Sequence, residues 1–229
     1  MSPIDAPDLD GPRWGPREAG PARQLVVLCH GLGADGQDLI DLAPYWGRTL
    51  PHAAFAAPDA PDACDMGPFG RQWFAIGDRS PARIAAGASV ARAALDSFID
   101  AELARLALPP DAYALMGFSQ GAMTALYTGL RRTTPPRGVL AYSGALVAAD
   151  RLAEATAQPP VLIVHGEDDT VVPVTRSRAA QQALESAGFA VQSLYCPRLG
   201  HGIDEVGLST GALFLQRIFA DEGALPASR

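Results

Sequence analysis

Tyr113-Ala-Leu-Met-Gly-Phe-Ser-Gln-Gly-Ala-Met-Thr-Ala-Leu126 is the stretch on which the reading of the whole chain turns. Tyr113 to Met116 is an apolar run of strand length, Gly117-Phe-Ser-Gln-Gly121 is a sharp turn, and Ala122 to Leu130 reads as a helix. Strand, G-x-S-x-G and helix in succession are the setting in which a serine is lifted onto a tight elbow as a nucleophile. Gly117 and Gly121 flank Ser119 because side chains there would collide with the closely packed strand and helix. The first helical turn also offers free N–H groups and a partial positive charge to an anion forming at Ser119. A serine capping a helix that merely follows a strand would explain the same residues. The motif therefore becomes evidence only if the chain also supplies a base, an acid to orient it and donors for an oxyanion.

Outward from this stretch, strands and helices alternate. Gln24-Leu-Val-Val-Leu-Cys29 is a continuous apolar run, as expected of a strand buried on both faces. A helix follows from about Asp38 to Leu50, interrupted or restarted near Pro44, and 52–57 reads as a second strand. Residues 58–78 form a long irregular segment, and such segments inside a compact domain are usually functional. Pro81 opens a long helix to about Leu106, with apolar residues three and four apart. Further strands are expected at Arg137–Tyr142, Pro160–Val164 and Ala190–Cys196, with helices near 148–157, 174–187 and 208–219. This order gives an α/β protein with a mostly parallel central sheet and helices on both faces. Residues 1–22, rich in Pro, Gly and charge, read as an extension draped on the surface or partly disordered. Residues 23–222 then form a single domain without a separate cap, and 223–229 a short tail.

Composition narrows the function classes. The chain of 229 residues is 48% hydrophobic with a formal charge of −7, which argues against nucleic acid and against an electrostatically held membrane surface. No run approaches about 18 apolar residues, so no membrane span is expected. The N-terminus has no basic segment followed by an apolar core, the pattern of a signal peptide. Cys29, Cys64 and Cys196 are odd in number and widely spaced, which favours a reducing compartment over a disulfide framework and makes the cytoplasm the expected location. No His/Cys/Asp cluster has metal-ligand spacing, so neither a metal nor a cofactor is expected.

The remaining parts of a hydrolytic site can be found by elimination. On a sheet of this kind the order is nucleophile, acid, histidine. The chain has four histidines, and only His165 and His201 follow Ser119. His165 ends a buried strand, whereas His201 sits between two glycines in a loop after the last strand and is the better base. Asp168 and Asp169 both lie just past the strand that ends at His165. Asp169 stands directly before the turn into the next helix, while Asp168 suits a turn residue bonding its own backbone. The oxyanion hole needs two backbone donors. Gln120 N–H is one, and Leu32 N–H, in the glycine-rich loop His30-Gly-Leu-Gly33, is the candidate for the other. The same loop supports a rival reading, because Gly31-Leu-Gly-Ala-Asp-Gly36 is a literal dinucleotide-binding fingerprint. Its ribose-binding acid should lie about 20 residues on, and the nearest candidate, Asp59, comes about 28 residues after Gly31 and past a proline.

Taken together, Cys29-His-Gly-Leu-Gly-Ala-Asp-Gly36, Trp73-Phe74, Gly117-Phe-Ser-Gln-Gly-Ala-Met123, Tyr142-Ser-Gly144, His165-Gly-Glu-Asp-Asp-Thr-Val-Val-Pro173 and Gly200-His-Gly202 resemble the phospholipase/carboxylesterase family of α/β-hydrolases. That family includes bacterial carboxylesterases and acyl-protein thioesterases. The resemblance implies Ser119, Asp169 and His201 as a triad and Leu32 and Gln120 as the oxyanion hole. It also decides between the two aspartates, since the family's acid occupies the second position. Thr170 stands where the family commonly has proline. The implied substrate is a small-molecule ester of short to medium acyl length, with a thioester or lysophospholipid as the alternative. Pocket walls are expected from 58–78 and from the loops after 30 and 143. Trp73 is the foremost candidate for contact with substrate, core packing being its other reading, and Phe69 and Leu146 stand beside it. The sequence leaves a homodimer open.

Overall fold

Fully buried alternation builds the centre of the molecule. In β2 (Gln24–Cys29), Leu25, Val27 and Cys29 join the core on one side of the sheet, while Val26 and Leu28 join the core on the other. Complete burial of such a side chain stabilises the fold by about 1.5–3 kcal/mol. The same logic holds in β6 (Tyr113–Phe118), where Tyr113 and Leu115 face one side and Ala114 and Met116 the other.

The computed structural model describes residues 8–220. In chain order it contains β1 (Arg13–Trp14), β2, α1 (Gly36–Ile40), α2 (Ala43–Trp46), β3 (Ala53–Ala56), β4 (Asp62–Ala63), β5 (Arg71–Gln72) and α3 (Pro81–Arg105). There follow β6 (Tyr113–Phe118), α4 (Gln120–Gly129), β7 (Val139–Tyr142), a 3-10 turn at Ala149–Glu154, β8 (Val161–Gly166), α5 (Thr175–Ser186), β9 (Val191–Cys196) and α6 (Glu205–Ala220). Seven strands form one sheet in the order β1-β3-β2-β6-β7-β8-β9, and all neighbours are parallel except β1 with β3. The helices α3, α4 and α5 cover one face with Leu95, Ile99, Leu126 and Leu184. The other face is covered by α1, α2 and α6 with Leu39, Trp46, Phe214 and Leu215. After β3 the chain crosses over β2 to lay down β6 on its far side, so β2 is the switch point of the sheet. Ligands on open parallel sheets bind at the carboxyl ends of the strands flanking such a point.

The predicted helix over 38–50 is two short ones, with Pro44 in the first turn of α2 as anticipated. The irregular segment 58–78 carries a small hairpin, β4 with β5. The N-terminal extension is a correction, since part of it belongs to the sheet. Arg13 and Trp14 pair antiparallel with Ala56 and Phe55, and the Trp14 ring packs edge-on against Phe55 at 5.8 Å. Arg13 Nε donates to Glu102 Oε1 at 2.9 Å, pinning the strand to a carboxylate that is only 3% exposed on α3. Residues 1–7 of the extension, and the tail at 223–229, lie outside the described residues.

Burial acts to raise the Glu102 carboxyl, but hydrogen bonds from Arg105 and Arg13 outweigh it and hold the group below its ordinary value. A depressed carboxyl contributes stability that is present above its unfolded value and lost as pH falls through its folded one. Arg13→Leu should therefore lower stability at neutral pH by about 1–2 kcal/mol, Arg105 remaining as a partner. The deficit relative to wild type should shrink as the pH falls below the ordinary carboxylate value toward the depressed one at which Glu102 takes up its proton. Thermal melts of both proteins across pH 3–7 would check this.

Candidate active site

The carboxyl edge of the sheet gathers residues from four loops. Ser119 follows β6 at φ 54° and ψ −116°, a conformation disfavoured for any residue with a Cβ. Such strain costs on the order of 1–3 kcal/mol and survives only where packing over-determines it. Here the packing is visible. A Cβ on Gly121 would strike the carbonyl oxygen of Cys29, and one on Gly117 would strike the Gly121 carbonyl. The helix can thus seat directly on the end of β2, and Ser119 is left at the tip, 9% exposed.

Asp169 lies after β8 and His201 after β9. The Asp169 Oδ2 accepts the hydrogen bond of His201 Nδ1 at 2.7 Å, and its Oδ1 accepts from Val171 N at 2.8 Å and Val172 N at 2.9 Å. Burial pushes this carboxyl up, but the His201 bond and the two backbone N–H groups prevail and hold it below the ordinary carboxylate value. His201 lies with its ring 4.8 Å from that of Phe118, the residue before Ser119. Asp168, the alternative acid, is exposed, and its N–H bonds Leu199 O at 2.9 Å.

The loop after β2 faces the elbow. An added Cβ on Gly31 would lie 3.3 Å from the Phe118 ring and 3.5 Å from Ser119 Cβ. Among the described residues, neither Leu32 N–H nor Gln120 N–H has a protein hydrogen-bond partner, and both residues line the cleft at Ser119. His30, to which the sequence alone assigns no role, orients this loop. It is fully buried, and its Nε2 accepts from Ala60 N at 2.9 Å. The proton is therefore on Nδ1, which donates to Gly31 O at 2.7 Å. Burial lowers the pKa of His30, which favours this neutral form. In a trans peptide C=O and N–H point opposite ways, so fixing Gly31 C=O also fixes the direction of Leu32 N–H. The one legible signal was its position, directly before the glycines at the end of a buried strand.

A cleft of about 770 Å³ opens in front of Ser119, between Leu32, Ile76, Met123, Leu146 and Val172, with Arg79, Arg151 and Arg176 also on its walls. Leu146 lines that cleft, whereas Trp73 and Phe69 do not, and for Trp73 the core reading is the one the packing matches. Trp73 is 1% exposed and belongs to the core, where its Nε1–H donates to His30 O at 2.9 Å. Phe69 is 83% exposed on the β4–β5 hairpin and does not border the cleft. An aromatic-rich loop marks burial or contact equally well, and only the path of the chain separates them. Gln120 has a second role beyond its backbone N–H. Its side chain accepts from Trp73 N at 2.9 Å and donates to Phe74 O at 2.7 Å, tying segment 58–78 to the elbow. Among the described residues no His/Cys/Asp/Glu cluster could hold a metal ion, and no helix is long and apolar enough to cross a membrane.

Sheet order, elbow and loop positions define an α/β-hydrolase. Similarity to known proteins agrees and is more specific. The family model for phospholipase/carboxylesterase matches residues 17–218, and the chain belongs to that family. The crystal structure of esterase PE8 superposes with a TM-score of 0.86 at 42% identity, covering 92% of this chain and 99% of that one. Esterase YpfH of Escherichia coli is 28% identical over 80% of this chain and 78% of its own length. Acyl-protein thioesterase 1 of Gibberella zeae is 28% identical over 84% of this chain and 89% of its own. The protein is a carboxylic ester hydrolase. The dinucleotide reading falls, because the loop packs on Ser119 and Asp59 is taken up by Gly36 N at 2.8 Å.

Gly121→Ala should destabilise the fold by about 3 kcal/mol or more, because both the helix and the β2 carbonyl are backbone and cannot yield. Denaturant unfolding of the variant would show it.

Proposed function

We propose that the chain is a serine carboxylesterase acting on short- to medium-chain esters, with Ser119 as nucleophile, His201 as base and Asp169 as the acid that orients it. The observation that carries this reading is the 2.7 Å bond from His201 Nδ1 to a carboxylate held ionised, on a ring that packs against the elbow of Ser119. With Nδ1–H given to Asp169, the His201 Nε2 carries the lone pair, which is the form a general base requires. As Ser119 Oγ attacks the ester carbonyl, His201 takes its proton. The oxygen that becomes negative is met by the N–H groups of Leu32 and Gln120. The tetrahedral intermediate collapses, His201 gives its proton to the leaving alcohol, and an acyl group remains on Ser119. Water then enters, loses a proton to His201 and releases the acid by the same steps.

The cleft supports a modest acyl group. Its apolar wall of Ile76, Met123, Leu146 and Val172 lies on one side of Ser119, and its mouth is open to solvent. A thioester is the second reading, favoured by the relatives named acyl-protein thioesterase. It needs no other residues, since a thiolate leaves as readily as an alkoxide from the same intermediate. A lysophospholipid would use the same triad.

Three measurements test the proposal. Ser119→Ala should keep the wild-type melting profile, lose fluorophosphonate labelling and reduce kcat by at least about 10³-fold; a clean preparation that still turns over would end the assignment. Asp169→Asn should cut kcat by about 10³–10⁴-fold while labelling slows rather than vanishes. A series of p-nitrophenyl esters and matched acyl thioesters of increasing length should give a maximum in kcat/KM at short or medium acyl length, and the better leaving-group series identifies the substrate class.

A further inference from the structure

His165 is a buried histidine to which the proposed chemistry gives no part, and it sits against the centre of the site. It is fully buried near the end of β8. Its Nε2 lies 2.8 Å from Val172 O, to which it is hydrogen-bonded, and 3.0 Å from Asp169 Oδ2, the same oxygen that holds His201. A carbonyl and an ionised carboxylate can only accept, so the proton of His165 must be on Nε2. On the other side of the ring, Nδ1 lies 2.6 Å from Ser177 Oγ, itself 3.0 Å from Gly144 O. Ser177 has one proton to give. It goes either to His165 Nδ1, leaving the ring neutral, or to Gly144 O, leaving Nδ1 protonated as well. In both arrangements Nε2 carries the proton, gives it to Val172 O and lies 3.0 Å from Asp169 Oδ2.

We propose that His165 is a positioning residue for the acid of the triad: its Nε2–H anchors the Val172 carbonyl, which holds the turn that grips Asp169, and the positive N–H edge of the ring, 3.0 Å from Asp169 Oδ2, shares that oxygen's charge with His201. This rests on the reading of Asp169 and His201 as the acid–base pair. The loop 169–172 is then held from both ends. Val171 and Val172 N–H groups grip Oδ1, and His165 grips the carbonyl of Val172 while its ring edge stands 3.0 Å from the second carboxylate oxygen. The other charged groups nearby are engaged elsewhere or exposed. Glu167 pairs with Arg178 at 2.6 Å, Asp204 accepts from Gly207 N at 2.7 Å, Asp168 faces solvent and Arg176 borders the cleft. Asp169 and His201 are therefore the groups that His165 influences.

Removing the N–H leaves more negative charge on Oδ2, and that charge favours the protonated, inactive form of His201. The acid limb of kcat/KM must then move to higher pH. His165→Leu removes the donor, whereas His165→Gln places an amide N–H close to the position of Nε2. With p-nitrophenyl butyrate as substrate, His165→Leu should shift the acid limb upward by roughly half a unit or more. Its plateau kcat/KM should fall on the order of tenfold. His165→Gln should keep the limb within roughly 0.2 unit of wild type. A folded His165→Leu protein with an unmoved acid limb overturns the proposal, since loss of packing alone lowers the plateau without shifting the limb. Should the leucine variant not fold, histidine-¹⁵N-labelled wild type decides: His165 Nε2 is expected to be protonated throughout the active pH range, and an unprotonated Nε2 overturns the proposal. Wild type that neither hydrolyses the ester nor reacts with a fluorophosphonate would instead refute the triad itself, and the nitrogen spectra would still report on His165.

Discussion

How closely α4 can approach the end of β2 governs the whole carboxyl edge. The approach is possible because residue 121 has no side chain; a single Cβ there would occupy the space of the Cys29 carbonyl. Once the helix is seated, the chain between β6 and α4 must turn in one residue, and Ser119 takes an otherwise unfavourable backbone conformation. The strain is borne by the sheet core on both sides of β2 and β6, where nearly every residue is fully buried. The same contact brings the loop after β2 against Phe118 and Ser119, so the proposed nucleophile and the candidate oxyanion donor are placed by one packing event.

Around that contact the structure uses a chain of buried polar groups, each satisfied by backbone. His30 is held by Ala60 N–H and holds Gly31 C=O. Trp73 donates to His30 O, and Gln120 clasps the backbone at Trp73 and Phe74. His165 and Asp169 do the same on the far side, with Val171, Val172 and Ser177. A buried polar atom left unpaired costs about 1–3 kcal/mol, so these bonds act as stops that forbid other loop conformations. Rigid placement of the loops is what a site working through directed N–H groups requires. The arginines of the cleft follow a different logic. They border a solvent-open wall, and nothing in the proposed chemistry at Ser119 depends on them.

The architecture was largely legible because burial on both faces of a parallel strand leaves uninterrupted apolar runs. Gln24–Cys29 was read to the residue, and β6 was read with its elbow. That the loops carrying Ser119, Asp169 and His201 meet at one edge was also legible, since an α/β sheet delivers its loops there in a fixed sequence. The N-terminal strand was not. Arg13-Trp14 is two residues long in a Pro- and Gly-rich segment, and it is a strand only because β3 offers an open edge and Glu102 a buried carboxylate. Where Trp73 and Phe69 lie relative to the cleft was not legible, because composition marks a residue as apolar without saying which way its loop runs.

By itself, then, the sequence determined the sheet, the elbow and the types of residue that could meet there, because periodicity and glycine placement are local constraints. Which carboxylate oxygen His201 holds, that His165 stands 3.0 Å from it, that His30 aims the Leu32 peptide and that Trp73 lies under the site rather than in it were decided only by the fold. Those facts depend on how loops far apart in the chain are brought together, and only the stacking of β2, β6, β8 and β9 in one sheet sets the distances between them.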